Sequence, residues 1–300
     1  MTKKIKAAIV GYGNIGQYTL QALHEAPDFE VAGVVRRSAK GEQPAELLDL
    51  PIVEQIDELE GVDVAILACP SRLVEETALP ILERGIATVD SFDIHTGIVP
   101  LRRSLAQKAL AHKAVAILSA GWDPGSDSVV RTLFQAMLPK GLTYTDFGPG
   151  MSMGHTVAVK AVPGVEEALS MTIPMGTGIH RRQVYVKIAP DAHEEAVKNA
   201  ILTDDYFRHD ETYVYFVDNV KDLQDVGHGV NLSRKGVSGA SHNQRLSFHM
   251  SINNPALTAQ ILVASARAAM RMQPGAYTLM EIPPVDLLPG DREDWIKHLC

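Results

Sequence analysis

The sequence predicts an α/β fold with an α+β segment inserted into it, on three observations. Over the first 120 residues, short wholly apolar runs alternate with amphipathic helical stretches, the pattern of a parallel sheet covered on both faces. The first of these runs opens onto a glycine-rich turn, Gly11 to Gly16, and then a helix. After Gly121 the texture changes to apolar–polar alternation, the mark of a sheet with one wet face. A length of 300 residues fits two domains and can bury a sizeable core without staples.

The elements follow in order. Ile5–Val10 is the first strand, Gly11-Tyr12-Gly13-Asn14-Ile15-Gly16 the turn, and a helix through Tyr18, Leu20, Ala22 and Leu23 closes before Pro27. A second strand, Val31–Val35, ends in Arg36-Arg37 and completes a βαβ unit of about 30 residues, the start of a Rossmann-type fold. Strand 62–68, helix 73–85, strand 87–89, helix 101–112 and strand 114–118 continue the alternation. Beyond Gly121, helices are expected over 126–137 and 193–203, and strands over 183–189, 212–217 and 246–252. In the first of these strands Val184, Val186 and Ile188 share one face and Tyr185 and Lys187 the other, which points to antiparallel pairing. Asn254-Pro255 starts a further helix, an Asn cap with Pro in the first helical position, running through Leu257, Ile261, Leu262 and Met270 to Pro274-Gly275. The short Pro-rich tail can return to the first domain. The expected division is a discontinuous domain, 1–120 with 254–300, around an inserted domain, 121–253.

Composition narrows the function classes. Twenty-eight Lys and Arg against 36 Asp and Glu leave a net charge of −8, contrary to the basic surface of a general nucleic-acid binder. A local Arg cluster can still bind a single anion. Two cysteines, Cys69 and Cys300, offer neither a disulfide framework nor a zinc-type spacing. No apolar run approaches membrane-spanning length, and the basic N-terminus leads into a strand instead of a signal-peptide core. A reduced, cytoplasmic protein with a small-molecule partner, and neither nucleic acid nor membrane, is expected.

The motifs carry the chemistry. Gly11 permits a tight turn, Gly13 lets backbone approach a pyrophosphate, and Gly16 lets helix pack closely on strand. With Asn14 and Ile15 they open a helix whose free N–H groups suit phosphate. Arg36 lies twenty positions past Gly16, where an NAD-preferring fold places a carboxylate for the ribose hydroxyls. Arg36 and Arg37 suit a 2′-phosphate instead, so NADP is the expected cofactor; a solvated surface pair is the plainer alternative. Cys69-Pro70-Ser71-Arg72 follows a strand, at the edge where cofactors sit. A catalytic thiol there would need a nearby His, and an inert buried cysteine is the simpler reading. Ser91-Phe92-Asp93 and Ser119-Ala120-Gly121-Trp122-Asp123 follow two further strands. Asp93 and Asp123 can hold an ammonium group or relay its proton, or serve merely as an N-cap or turn former. Phe147 to His155, dense in glycine and methionine, suits a carboxylate nest or a hinge. Arg181-Arg182, His228 and Asn254 are further anion- or amide-binding candidates. The histidines at 155, 180, 228, 242 and 249 lack metal spacing, and no metal site is expected.

Taken in order, GYGNIG with VVRR, SFDIH, SAGWDPGSDS, FGPGMSMGHTVAVK, INNPALTAQ and LLPGDRE resemble the meso-diaminopimelate dehydrogenases over nearly all 300 positions. The resemblance implies reversible NADP-dependent oxidative deamination of the D-centre of meso-2,6-diaminopimelate, within lysine and diaminopimelate biosynthesis. It implies that Asp93 and Asp123 lie near the reacting centre, with Trp122 and Phe147 shaping the pocket. Met153 and Gly154 would offer backbone N–H groups, and Thr172, Arg182, His228 and Asn254 would grip the distant L-centre. It further implies cofactor contacts from Gly11, Gly13, Asn14, Ile15, Gly16, Arg36, Arg37, Cys69, Pro70, Ser71, Arg72, Ser91 and Phe92. The inserted domain would bind substrate and form a homodimer or larger oligomer. Some shorter members accept a wider range of 2-oxo acids, so a broad-range D-amino acid dehydrogenase is one alternative. A non-catalytic NADP(H)-binding sensor is the other.

Overall fold

The computed structural model describes residues 3–37, 43–223 and 227–300. The chain divides into two compact units, Met1–Val129 with Pro255–Cys300, and Val130–Asn254.

The first unit begins with β1 (Ile5–Val10), α1 (Asn14–His24), β2 (Phe29–Val35), β3 (Ile52–Val53), β4 (Val64–Leu67), α2 (Val74–Glu83), β5 (Ala87–Asp90), α3 (Ile98–His112) and β6 (Val115–Leu118). The chain leaves it within α4 (Ser126–Met137) and returns through α7 (Asn254–Ala269) to β14 (Gly275–Thr278) and α8 (Arg292–Leu299). Seven parallel strands lie in the order β14-β6-β5-β4-β1-β2-β3. Because both faces of each strand are covered, alternate residues feed two cores. Ala7, Ile9, Val64, Ile66, Val89 and Ile117 pack with Leu20 and Leu23 of α1 and Leu262, Val263 and Ala266 of α7. Ala8, Ala65, Leu67, Ala116 and Leu118 pack with α2 and α3 through Val74, Ala78, Leu101 and Leu105. That two-sided burial is why these strands read as unbroken apolar runs.

Strand β14 is not singled out by the sequence, because four residues after a helix-ending Pro-Gly carry no periodicity of their own. It pairs with β6 from Gly275↔Val115 to Thr278↔Leu118. Arg267, nearly buried on α7, fixes the return of the chain: its guanidinium donates to both oxygens of Asp28, at 2.5 and 2.9 Å, and to the Leu287 carbonyl. The first cut falls at 129 rather than 120 because the turn after β6 belongs to the first unit. Ala120 N–H donates to the Asp90 carbonyl, and Gly121 bridges to Gly125.

The second unit holds β7 (Lys140–Phe147), β8 (Gly150–Met151), α5 (Met153–Lys160), β9 (Val165–Gly176), β10 (Ile179–Ile188), α6 (Glu194–Thr203), β11 (Glu211–Phe216), β12 (Gly227–Ser238) and β13 (Ser241–Asn253). They form a four-stranded sheet, β11-β10-β9-β8, and a three-stranded sheet, β13-β12-β7. The alternation in β10 faces as the sequence indicates: Val184 and Val186 join Val159, Val197, Ile201 and Phe207 in the core. One expectation is corrected. β10 is antiparallel to β9 but parallel to β11, since α6 carries the chain back to the end at which β10 began.

Candidate active site

The carboxyl ends of β1, β4, β5 and β6 gather the first set of candidate residues, at the edge where a doubly wound sheet binds ligands. Strand order reverses about β1, and the glycine turn lies there. A Cβ on Gly16 would come within 2.4 Å of the Gly11 carbonyl oxygen, and one on Gly11 within 2.7 Å of Ala68 O. Both glycines are therefore demanded by the fold. Gly13 is different: a Cβ there would meet nothing within 4 Å. The open space above Gly13 has the form of a cradle for a phosphate. Gly13 caps α1 without any side-chain cap, and the first turn carries no acidic residue, so its N–H groups remain available to an anion.

Arg36 follows β2 and donates to Gln43 Oε1 at 3.2 Å. Its positive charge also reaches Tyr12, whose hydroxyl is pushed up to about 12 by burial and by the neighbouring Glu46 carboxylate. Arg37 is exposed. These groups fit a cofactor carrying an extra phosphate.

Cys69, Pro70, Ser71 and Arg72 form the turn after β4. Burial pushes the Cys69 thiol up to about 11, away from the thiolate form that a nucleophile needs. Ser71 has a definite partner: its hydroxyl donates to Asp93 Oδ1 at 2.6 Å and accepts the Asp93 N–H at 3.2 Å. Phe92 is buried and packs under Gly97, while Ser91 lies beside Gly121 at the mouth of the next turn. In that turn Trp122 is 6% exposed and Asp123 half-buried. The Trp122 carbonyl accepts from Asp127 N–H and the Ser126 hydroxyl, and Gly125 closes so tightly that a Cβ would strike Gly121 O. Asp93 and the Trp122-Asp123 pair thus stand on adjacent turns.

The second unit gathers the remaining set by itself. Arg182 on β10 lies opposite Thr172 on β9; its guanidinium donates to the Thr172 hydroxyl and, at 2.7 Å, to Asp210. Gly150 also pairs with Thr172, and a Cβ on it would strike Gly227 O and His228 Cα. His228 is buried, its Nδ1 accepting the Gly229 N–H at 2.8 Å. The Asn254 amide donates to the Met151 carbonyl at 3.1 Å. Met153 and Gly154 are the first two residues of α5, where N–H groups have no carbonyl a turn earlier. Phe147 N–H donates to His180 Nε2 at 2.7 Å, and the two rings stand 5.3 Å apart. Burial, and then the charge of Arg182, hold His180 below its ordinary value.

Arg181 is separated from its neighbour. Strand alternation turns it to the other face, where it pairs with Glu211 and lies over Tyr213. The sequence also passes over Asp210, His180 and Asp90, which hold Arg182, Phe147 and the two turns. Only Asp90 leaves a trace, as a carboxylate ending an otherwise apolar strand.

Comparison with known proteins places this arrangement. Residues 5–89 match the oxidoreductase family with an NAD-binding Rossmann fold, and residues 121–179 the diaminopimelic acid dehydrogenase C-terminal domain. The chain is 64% identical over 297 residues to the meso-diaminopimelate D-dehydrogenase of Bacteroides fragilis, covering 99% of each protein. It is similar to the solved structure of a C. glutamicum DAP dehydrogenase in complex with DAP, with a TM-score of 0.89 and 31% identity over the whole of both chains. An engineered D-amino acid dehydrogenase bound to NADP+ is alike at a TM-score of 0.89 and 30% identity, covering 99% of this chain and 100% of that one.

Proposed function

Since this chain belongs to the meso-diaminopimelate dehydrogenase family, we propose that Asp93 and Asp123 of the first unit serve the reacting D-centre of the substrate, and that Arg182, Thr172, His228 and Asn254 of the second serve the L-centre. The enzyme catalyses the reversible NADP-dependent oxidative deamination of the D-centre of meso-2,6-diaminopimelate. Water is consumed; the products are L-2-amino-6-oxopimelate, which cyclises to tetrahydrodipicolinate, ammonia and NADPH.

When bound, NADP supplies the two-electron-accepting half of the reaction. Gly11, Gly13, Asn14, Ile15 and Gly16 would hold its pyrophosphate, Arg36 and Arg37 its 2′-phosphate, and the turns 69–72 and 91–92 the remainder. Hydride can leave Cα only if the nitrogen lone pair is free to form the imine, so the ammonium first loses a proton. A carboxylate, directly or through water, suits that task, and it falls to the pair Asp93 and Asp123. The Ser71 hydroxyl on Asp93 Oδ1 is the observation that carries this assignment, because it holds the carboxylate in one orientation at the sheet edge. Water then hydrolyses the imine to the ketone. Arg182, Thr172, His228 and Asn254, with the N–H groups of Met153 and Gly154, grip the L-centre. The L,L isomer would present the wrong configuration to Asp93 and Asp123, and a D,D isomer would leave the L-centre groups unpaired, which is the source of discrimination.

The reading extends to assembly and location. Leu133, Met137, Leu142 and Tyr144 of the second unit are all open to solvent, which suits the face of a homodimer. Two free cysteines suit a reducing cytoplasm.

The test is NADP reduction with meso-diaminopimelate beside the L,L isomer and lysine, with amination of pyruvate in the reverse direction. Turnover of the meso compound far above the slow rates on the others is expected; none with it would sink the reading, and fast pyruvate amination would favour the broad-range alternative. Arg182→Ala should lower kcat/KM for diaminopimelate roughly 10- to 100-fold, as loss of a charged hydrogen bond does, and spare a monocarboxylic D-amino acid. Equal loss on both would remove Arg182 from the L-centre.

A further inference from the structure

We propose that Asp90 is a positioning residue for this reaction: its buried carboxyl ties the turn bearing Asp93 to the turn bearing Trp122 and Asp123. The inference rests on the assignment of Asp93 and Asp123 to the reacting centre.

Asp90 ends β5 and is 1% exposed. Its Oδ1 accepts two backbone N–H groups, from Phe92 at 2.9 Å and from Ser119 at 3.1 Å. Its own carbonyl accepts a third, from Ala120 at 2.8 Å. Phe92 immediately precedes Asp93, and Ser119 begins the turn that reaches Trp122 three residues later. One side chain thus fixes the exit of both turns, and so the separation of the two candidate catalytic carboxylates.

Two features argue that this carboxyl serves the turns more than the fold. The other strands of the sheet end on Val10, Val35, Val53, Leu67, Leu118 and Thr278, so a parallel strand needs no carboxylate at this point. The group is also costly where it stands. Asp90 Oδ2 has no hydrogen-bond partner among the described residues, and burial pushes the carboxyl up to about 7 against the pull of its two N–H donors. The same holds at the other end of the bond. Ser119 adopts a left-handed φ of 55°, and its buried hydroxyl lacks a partner among the described residues. Strained backbone of this kind is costly and persists where the surroundings over-determine it. Here the bond to Asp90 holds it. Local cost accepted beside a reacting centre is the pattern expected of pre-organisation.

The experiment compares Asp90→Ala, Asp90→Val and Asp90→Asn with Asp93→Asn and Asp123→Asn. It measures kcat per NADPH-binding site, KM for each substrate and NADPH affinity by fluorescence. Alanine and valine remove the acceptor, the second without leaving a cavity; asparagine keeps an oxygen for both N–H groups. Expected is a fall in kcat per site of tenfold or more for Ala and Val, with NADPH affinity within threefold of the parent. Asparagine should restore kcat to within threefold. Ala or Val variants with unchanged kcat per site would overturn the proposal, since a merely structural residue alters only the number of sites. If neither folds, Asp90→Asn decides alone, and a tenfold loss in it counts against the acceptor role. Should Asp93→Asn and Asp123→Asn keep full activity, it is the assignment of the pair that fails, and Asp90 loses its purpose with it.

Discussion

At the scale of single residues, the sharpest consequence concerns Arg36. It stands after β2 where a carboxylate would select NAD, and it donates to Gln43. Arg36→Ala should therefore weaken NADP roughly 10- to 100-fold, the worth of a charged hydrogen bond, and leave the feebler binding of NAD almost unchanged. Equal effects on the two KM values would remove the 2′-phosphate argument. Asp90 makes a prediction about pH. Burial raises its folded-state pKa from 3.8 to about 7, so between those values the folded chain keeps a proton that the unfolded chain has released. The stability this group contributes is present at acid pH and lost as pH rises through about 7. Urea unfolding at pH 5 and pH 8 should show Asp90→Asn gaining on the parent as pH rises; parallel curves would show that Asp90 does not titrate there. Residues with a local reason to exist are legible in the sequence, as the glycines and Arg36 are. Asp90, Asp210 and His180 are not, because each earns its meaning from a partner 28 to 33 residues away, brought near only by strand register.

At the scale of elements, the turn between β1 and α1 separates two kinds of glycine. Gly16→Ala drives a Cβ to within 2.4 Å of a backbone oxygen, and overpacking of that kind costs about 1–3 kcal/mol. Gly13→Ala meets open space at an ordinary φ of −94° and should leave stability within about 0.5 kcal/mol of the parent. The Cβ would nevertheless occupy the phosphate cradle, so NADPH affinity should fall about tenfold or more. Thermal melts and fluorescence titration of the two variants check this, and a Gly13→Ala protein that binds NADPH normally would empty the cradle of its meaning. Elements with a strong period are legible for the same reason that they are stable: buried faces impose the pattern. Hence β1, α1, α4 and β10 fall where the sequence puts them, within a few residues. Strand β14 escapes notice because an edge strand of four residues is held by β6 instead of by its own pattern. The direction of β11 escapes because alternation reports which faces are wet and says nothing of parallel or antiparallel pairing.

For the whole molecule, the division of labour follows from the path of the chain. The first unit closes on itself through Arg267, Asp28 and Leu287, so its cofactor set stands on a core that both ends of the sequence complete. The second unit has its own core and its own polar set, yet leaves apolar side chains uncovered. Leu133 and Met137 lie one helical turn apart on α4, 55% and 48% exposed. Leu142 and Tyr144 share one face of β7, an edge strand, at 66% and 40%. An edge strand and uncovered apolar side chains each invite association, which a symmetric pair of copies would satisfy. Stable pairing needs about 800 Å² on each partner, so these four residues would be the centre of a larger face. Sedimentation equilibrium should accordingly give a mass twice 32.6 kDa. Met137→Glu with Leu142→Glu, placing charge at that centre, should shift the protein to monomers. Because Gly11 to Gly16 and Arg36 belong to the other unit, those monomers should bind NADPH within threefold of the parent. A variant that stays dimeric would move the interface elsewhere, and one that loses NADPH binding along with pairing would show that the units do not act independently.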